Sequence, residues 1–187
     1  MVTSSRYDPT TLGYAILGML GREPMSGYRI RKLFETTPLG HYSSSPGTIY
    51  PALKRLEQAG LVRRSTVKAD GQKPRKVFTL TGGGRDRLQG WLQTVPDELD
   101  VVHDLPECLL RFSLMGDDVT AKHKIHYLDR FRVAASAYVR HLRRMQEDLA
   151  EHMTGNTLLA LENGIAVYRA HARWAARAHS QLLADSP

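Results

Sequence analysis

Apolar positions recur at helical spacing along most of this chain and give way to short β-type runs only once, between Leu61 and Leu80. Leu12, Ala15, Ile16, Met19 and Leu20 step by three and four from about Pro9 or Thr10, predicting an amphipathic helix stopped by Gly21 and Pro24. A second helix is predicted from Ser26, as N-cap, to about Thr36, with Ile30, Leu33 and Phe34 inward. Pro38-Leu39-Gly40 breaks it. Ser45 before Pro46 reads as the N-cap and first position of a third helix, whose stripe is Ile49, Leu53 and Leu56 and whose stop is Gly60. Leu61–Val67 and Lys76–Leu80 then read as strands, joined by a basic loop, Lys68–Arg75, with Asp70-Gly71 as the turn. A further helix is expected from Thr81 to about Thr94, regular only from Gly84 because three successive glycines are costly in a helix.

Pro96 to Pro106 reads as a linker, followed by a short helix over Leu105–Met115 that Gly116 ends. A long helix capped by Asp117 or Asp118 follows, with Gly155 as its expected stop. Leu128, Phe131, Ala135, Tyr138, Leu142, Met145 and Leu149 form an unbroken heptad seam along it. The last helix repeats that rhythm through Leu158, Leu161, Ile165, Tyr168, Ala172 and Ala175. Two such helices need a further surface, and a second copy of the chain is the simplest supply. The expected fold class is therefore mainly α with one small β-hairpin. A winged helix-turn-helix N-terminal domain (1–95) precedes an α-helical dimerisation domain (96–187).

Charge sharpens this picture. Residues 1–95 hold 15 Lys and Arg against 6 Asp and Glu, whereas residues 96–187 hold 11 against 13. The basic excess thus belongs to the half with the helix–hairpin unit, which favours a polyanion partner because neutralised phosphates release counterions. Cys108 is the single cysteine, so no intramolecular disulfide is expected and a small core residue fits its apolar neighbours. No apolar stretch reaches membrane-spanning length and no secretory pattern opens the chain; a cytoplasmic protein without a membrane partner is expected. His123 and His126, like His171 and His179, share helix faces. No Cys or carboxylate with zinc-site spacing joins them, so neither metal nor cofactor is expected. No nucleophile elbow, phosphate loop or paired carboxylate points to an enzyme.

Four segments carry a resemblance: Ala15–Leu20, Pro24–Ile30, Gly47–Leu61 and Pro74–Thr81. In this order and at these intervals the chain resembles the PadR family of transcriptional regulators over nearly its whole length. The resemblance implies a ligand-responsive repressor that binds a pseudo-palindromic operator in double-stranded DNA as a homodimer. It implies a third helix in the major groove, with Ser45, Gly47, Thr48, Tyr50 and Lys54 facing the duplex, and a wing contacting it through Lys73, Arg75 and Lys76. Gly82 and Gly83 depart from the bulkier residues common in the family.

The residues themselves add conditions. Ser45 serves as well for capping as for DNA contact, and Tyr50 serves as well for packing on the first helix. Lys54 and Arg55 suit either a solvated face or DNA. Arginine is the good bidentate reader of guanine, and that helix face offers only Arg55, late in the helix, so backbone and shape contacts are expected to dominate. Trp91, Phe112, Tyr138, Tyr168 and Trp174 are candidate walls of an effector pocket between domains or at a dimer interface, and equally candidates for plain core. The alternative reading is a winged-helix protein-interaction module without sequence-specific DNA binding.

Overall fold

Helix α1 (Thr11–Arg22) is buried from Leu12 through Leu20, on every side rather than along one stripe. The Thr10 hydroxyl starts it by accepting from the Gly13 amide at 3.3 Å. In this computed structural model the described residues are 7–42, 46–67, 74–149, 152 and 154–185. They fall into two compact units, Met1–Leu92 and Gln93–Pro187.

In the first unit, α2 (Gly27–Thr36) begins on Ser26, whose hydroxyl accepts from the Arg29 amide at 3.2 Å. Ile30 and Phe34 are its buried face. A 3-10 turn (Pro38–Tyr42) and a second one (Pro46–Thr48) lead into α3 (Ile49–Gln58). Here the expectation is corrected: Pro46 opens a tight turn, and regular helix starts only at Ile49, where the apolar stripe begins. Thr48 precedes it in helical geometry without a side-chain cap. Ser45 lies outside the described residues. Ile49, Ala52, Leu53 and Leu56 are buried, and the Ile49, Leu53 and Leu56 side chains each contribute about 1.5–3 kcal/mol on leaving water. Gly60, at φ 71°, ends the helix as expected.

Strands β1 (Val62–Val67) and β2 (Arg75–Leu80) pair antiparallel, from Val62 opposite Leu80 to Val67 opposite Arg75. Arg75 is therefore strand rather than loop. The turn residues 68–73, Lys73 among them, lie outside the described residues. Met25 adds a bridge to the hairpin: its amide donates to the Phe78 carbonyl at 3.1 Å and the Phe78 amide returns 2.8 Å to Met25. Helix α4 (Gly82–Leu92) starts two residues earlier than expected, because Gly84 lets the helix lie directly on the Leu61 carbonyl. Trp91 stacks on Tyr14 with ring centroids 4.5 Å apart.

The second unit opens with α5 (Glu98–His103), inside what reads as a linker. Asp97 and Asp100 form a reciprocal capping box at 2.9 and 3.0 Å. Helix α6 (Leu105–Leu114) follows. The long helix α7 (Ala121–Leu149) starts after Thr120, whose hydroxyl accepts from the His123 amide at 3.2 Å. Asp117 and Asp118 lie in the preceding turn and do not cap it. Gly155 opens α8 (Gly155–Ala184) instead of closing α7, with Thr154 as its N-cap.

Helices α7 and α8 run antiparallel, Phe131 meeting Trp174 and Tyr138 meeting Tyr168. The heptad seam is largely used up inside this one chain. Leu128, Phe131 and Ala135 share a core with Val101, Cys108 and Ala175, while Leu142 packs with Val139 and Ile165. Tyr138 and Met145 are partly buried beside that second cluster, and Leu149 is exposed. Burial pushes the Cys108 thiol up to about 11. No helix among the described residues is long and apolar enough to cross a membrane.

Candidate nucleic-acid interface

The buried stripe of α3 fixes what its other face can do. With Ile49, Leu53 and Leu56 turned inward, Gly47, Tyr50, Lys54 and Arg55 are left in solvent and Thr48 half-buried. Tyr50 is 50% exposed, so the first helix does not claim its ring. It leans instead across the start of α2, where a Cβ on Gly27 would stand 2.8 Å from Tyr50 Cε1. A side chain at Gly27 would therefore have to push the far end of the Tyr50 ring aside.

The hairpin register sorts the wing cations, because side chains alternate between sheet faces. Lys76 lies opposite Thr66, and Arg64 opposite Phe78, so Arg64, Lys76 and Phe78 share one face. Arg75 lies on the other, with Arg63 and Thr79, whose side chains hydrogen-bond at 3.2 Å. Arg75 and Lys76 are both exposed, and as sequence neighbours they reach to opposite sides of the wing.

Arg64 and Glu57 line the same surface, and sequence reasoning passes over both. A groove of about 470 Å³ lies between α3 and the hairpin, lined by Tyr50, Leu53, Lys54, Glu57, Gln58, Arg64 and Phe78. Its floor is apolar, and its rim carries Lys54 and an ion pair between Arg64 Nε and Glu57 Oε1 at 3.5 Å. The signal was the strand register, which is invisible until pairing is known. Near the start of α2, Arg29 grips Glu23 through two bonds of 2.7 and 3.1 Å.

The aromatic residues divide between the units. Trp91 belongs to the first, stacked on Tyr14, whose hydroxyl donates to Asp8 at 2.9 Å. The other four belong to the second. Phe112 meets Trp174 edge-on at 5.6 Å, Tyr138 meets Tyr168 at 4.6 Å, and the Tyr168 hydroxyl donates to the Val102 carbonyl at 3.2 Å. His171 lies between Phe131 and Tyr168, its ring 6.4 Å from the first and 6.3 Å from the second. Among the described residues no group of three or more His, Cys, Asp or Glu is arranged to hold a metal.

Residues 16–90 match the sequence model of the transcriptional regulator PadR-like family. The negative transcriptional regulator PadR of Bacillus subtilis (strain 168) is 34% identical over 107 residues, 54% of this chain and 59% of that protein. The transcriptional regulator YqjI of Escherichia coli (strain K12) is 29% identical over 93 residues, 50% of this chain and 41% of that one. The crystal structure of Bacillus subtilis PadR in complex with operator DNA aligns over 94% of this chain and 99% of its own, at 24% identity and a TM-score of 0.39. The chain spans about half the length of the curated relatives it matches. A three-helix unit with a hairpin, bearing the matched motifs in order, agrees with that match: over residues 16–90, this chain is similar to the transcriptional regulator PadR-like family.

Proposed function

We propose that this protein is a transcriptional repressor that docks its first unit on duplex DNA. One observation carries the reading. On the helix–hairpin surface of the basic half, Tyr50, Lys54, Arg55, Arg75 and Lys76 are all exposed while Ala52, Leu53 and Leu56 of the same helix are turned into the core. An exposed aromatic among solvated cations, on a helix narrow enough to enter a major groove, is a surface suited to phosphates and base edges. The description of the Bacillus subtilis relative as a negative regulator supports repression rather than activation.

The finer reading is a homodimer on a pseudo-palindromic operator, its two α3 helices about 34 Å apart in successive major grooves. Because the α7 seam is largely covered by its own chain, a second copy would draw on apolar residues left in solvent. Val133, Leu149, Leu159, Val167 and Leu183 are 39–64% exposed on these helices. A small-molecule effector would act by binding the DNA-incompetent state more tightly. Phe112, Tyr138, Tyr168 and Trp174 remain its candidate contacts in the second unit, and Trp91 in the first.

A salt titration of binding to DNA from upstream of the gene tests the reading. Several phosphate contacts give a log–log slope steeper than about −4. A shallower slope, or equal binding by a Lys54, Arg55, Arg75 and Lys76 quadruple alanine variant, favours a protein-interaction module instead.

A further inference from the structure

We propose that Glu57 makes a phosphate contact by Arg64 conditional, and so limits how tightly this surface holds non-cognate DNA. The inference rests on the DNA-binding reading above. Arg64 stands on the sheet face that carries Lys76, and it walls the same groove as Tyr50 and Lys54. A duplex seated on Lys54 and Lys76 therefore brings its backbone past the Arg64 guanidinium. At rest that guanidinium has a partner, Glu57, at 3.5 Å. Both side chains are solvated, 51% and 33% exposed, and an ion pair in water is weakly held. A phosphate offers arginine a paired, charge-assisted geometry that a single contact through Nε does not, so exchange of partner is favourable once the backbone is close.

Glu57 sets the condition on that exchange. Its carboxylate sits on the rim of the groove, where it repels an approaching phosphate and competes with it for Arg64. A duplex held loosely at the surface meets the closed pair and gains nothing from Arg64. A duplex in which α3 is fully seated brings a phosphate within reach, and the arginine changes partner. Without Glu57, Arg64 becomes one more unconditional phosphate contact, which strengthens binding to any sequence.

A double-mutant cycle on the full chain, read by salt titration with a random-sequence duplex, tests this. Glu57→Gln is expected to steepen the slope by about 0.9, making the loss of affinity between about 50 and 200 mM salt about threefold larger. Arg64→Ala is expected to leave the random-duplex slope unchanged and to make it shallower only on DNA from upstream of the gene, where α3 seats fully; Glu57→Gln should change little in that background. Glu57→Asp keeps the charge but draws it back from Arg64; it should behave as Glu57→Gln does, also providing a second variant if the first folds poorly. An equal effect of Glu57→Gln with and without Arg64 overturns the proposal, since Glu57 then acts as a bare charge. So does a slope that Glu57→Gln leaves unchanged. Lys76→Ala separates the two failures: if it lowers the slope and the cycle is flat, only this inference falls. If no form of the chain holds duplex DNA at low salt, the DNA-binding reading falls with it.

Discussion

Replacing Gly84 by alanine probes the joint on which the hairpin and α4 both depend. A Cβ there would stand 2.0 Å from the Leu61 carbonyl oxygen and 2.9 Å from Leu80 Cδ1. The obstacle is backbone, and it is tied down: the Leu61 oxygen accepts from the Thr81 amide at 3.1 Å and from the Thr81 hydroxyl at 3.0 Å. The same hydroxyl accepts from the Gly84 amide at 3.0 Å. Overfilling a packed site costs about 1–3 kcal/mol, and loosening two hydrogen bonds adds about 1 kcal/mol each. The helix preference of alanine returns about 1 kcal/mol. The net expectation is a loss of about 2–4 kcal/mol, which lowers a urea midpoint by about 1–2 M. The assay is urea unfolding in a Trp174→Phe background, where Trp91 alone reports on the first unit. Gly90→Ala is the control, since nothing lies within 4 Å of its Cβ position, and it should gain about 0.5–1 kcal/mol. If the Gly84→Ala midpoint equals the parent's or the control's, α4 does not approach the Leu61 carbonyl this closely.

Four more outcomes follow from particular contacts. Gly27→Ala displaces only the exposed end of the Tyr50 ring, so stability should stay within about 1 kcal/mol while duplex affinity falls as it does for Tyr50→Ala; wild-type affinity would remove Tyr50 from the interface. Because burial raises the Cys108 thiol to about 11, an aromatic disulfide reagent should label it only as the second unit unfolds. Stoichiometric labelling of native protein at neutral pH would contradict this. Burial also holds His171 below its ordinary 6.5, so the unfolded chain takes up the proton first as pH falls. Stability of the second unit should then be full above about pH 7 and decline as pH drops through about 6.5, and His171→Gln should flatten that decline in urea titrations. Phe131→Ala should cost about 3–5 kcal/mol by thermal or urea unfolding, as it empties the space beside Trp174 and His171.

The helices of the first unit were legible because capping and periodicity agree: Ser26 with Ile30 and Phe34, and Gly60 closing the stripe of α3. The start of α3 was not, because Ser45-Pro46 carries the same local signal whether a 3-10 turn or an α-helix follows. Gly82–Gly84 misled for a tertiary reason, since propensity counts the cost of glycine but not the carbonyl that only glycine clears. The run Asp97-Glu98-Leu99-Asp100 did contain a capping box, disguised because Asp100 stands where Glu or Gln is usual. In the interface, exposure of Tyr50, Lys54 and Arg55 followed from the helical stripe alone. The grouping of Arg64 with Lys76, and the separation of Lys76 from Arg75, required strand register. A heptad seam marks a buried face but does not say whose side chains bury it, which is why α8, α5 and α6 cover what reads as a surface for another chain.

Gly60 has nothing within 4 Å of the place a side chain would occupy, so its left-handed backbone is demanded by chirality alone and not by crowding. A mirror-image alanine introduced there by chemical ligation would sit in its own preferred basin and leave every neighbour undisturbed. It would strip the unfolded chain of conformations available to glycine and stiffen the pivot between α3 and β1. The handedness of one α-carbon is thus a dial on this unit's rigidity, separable from its surface chemistry.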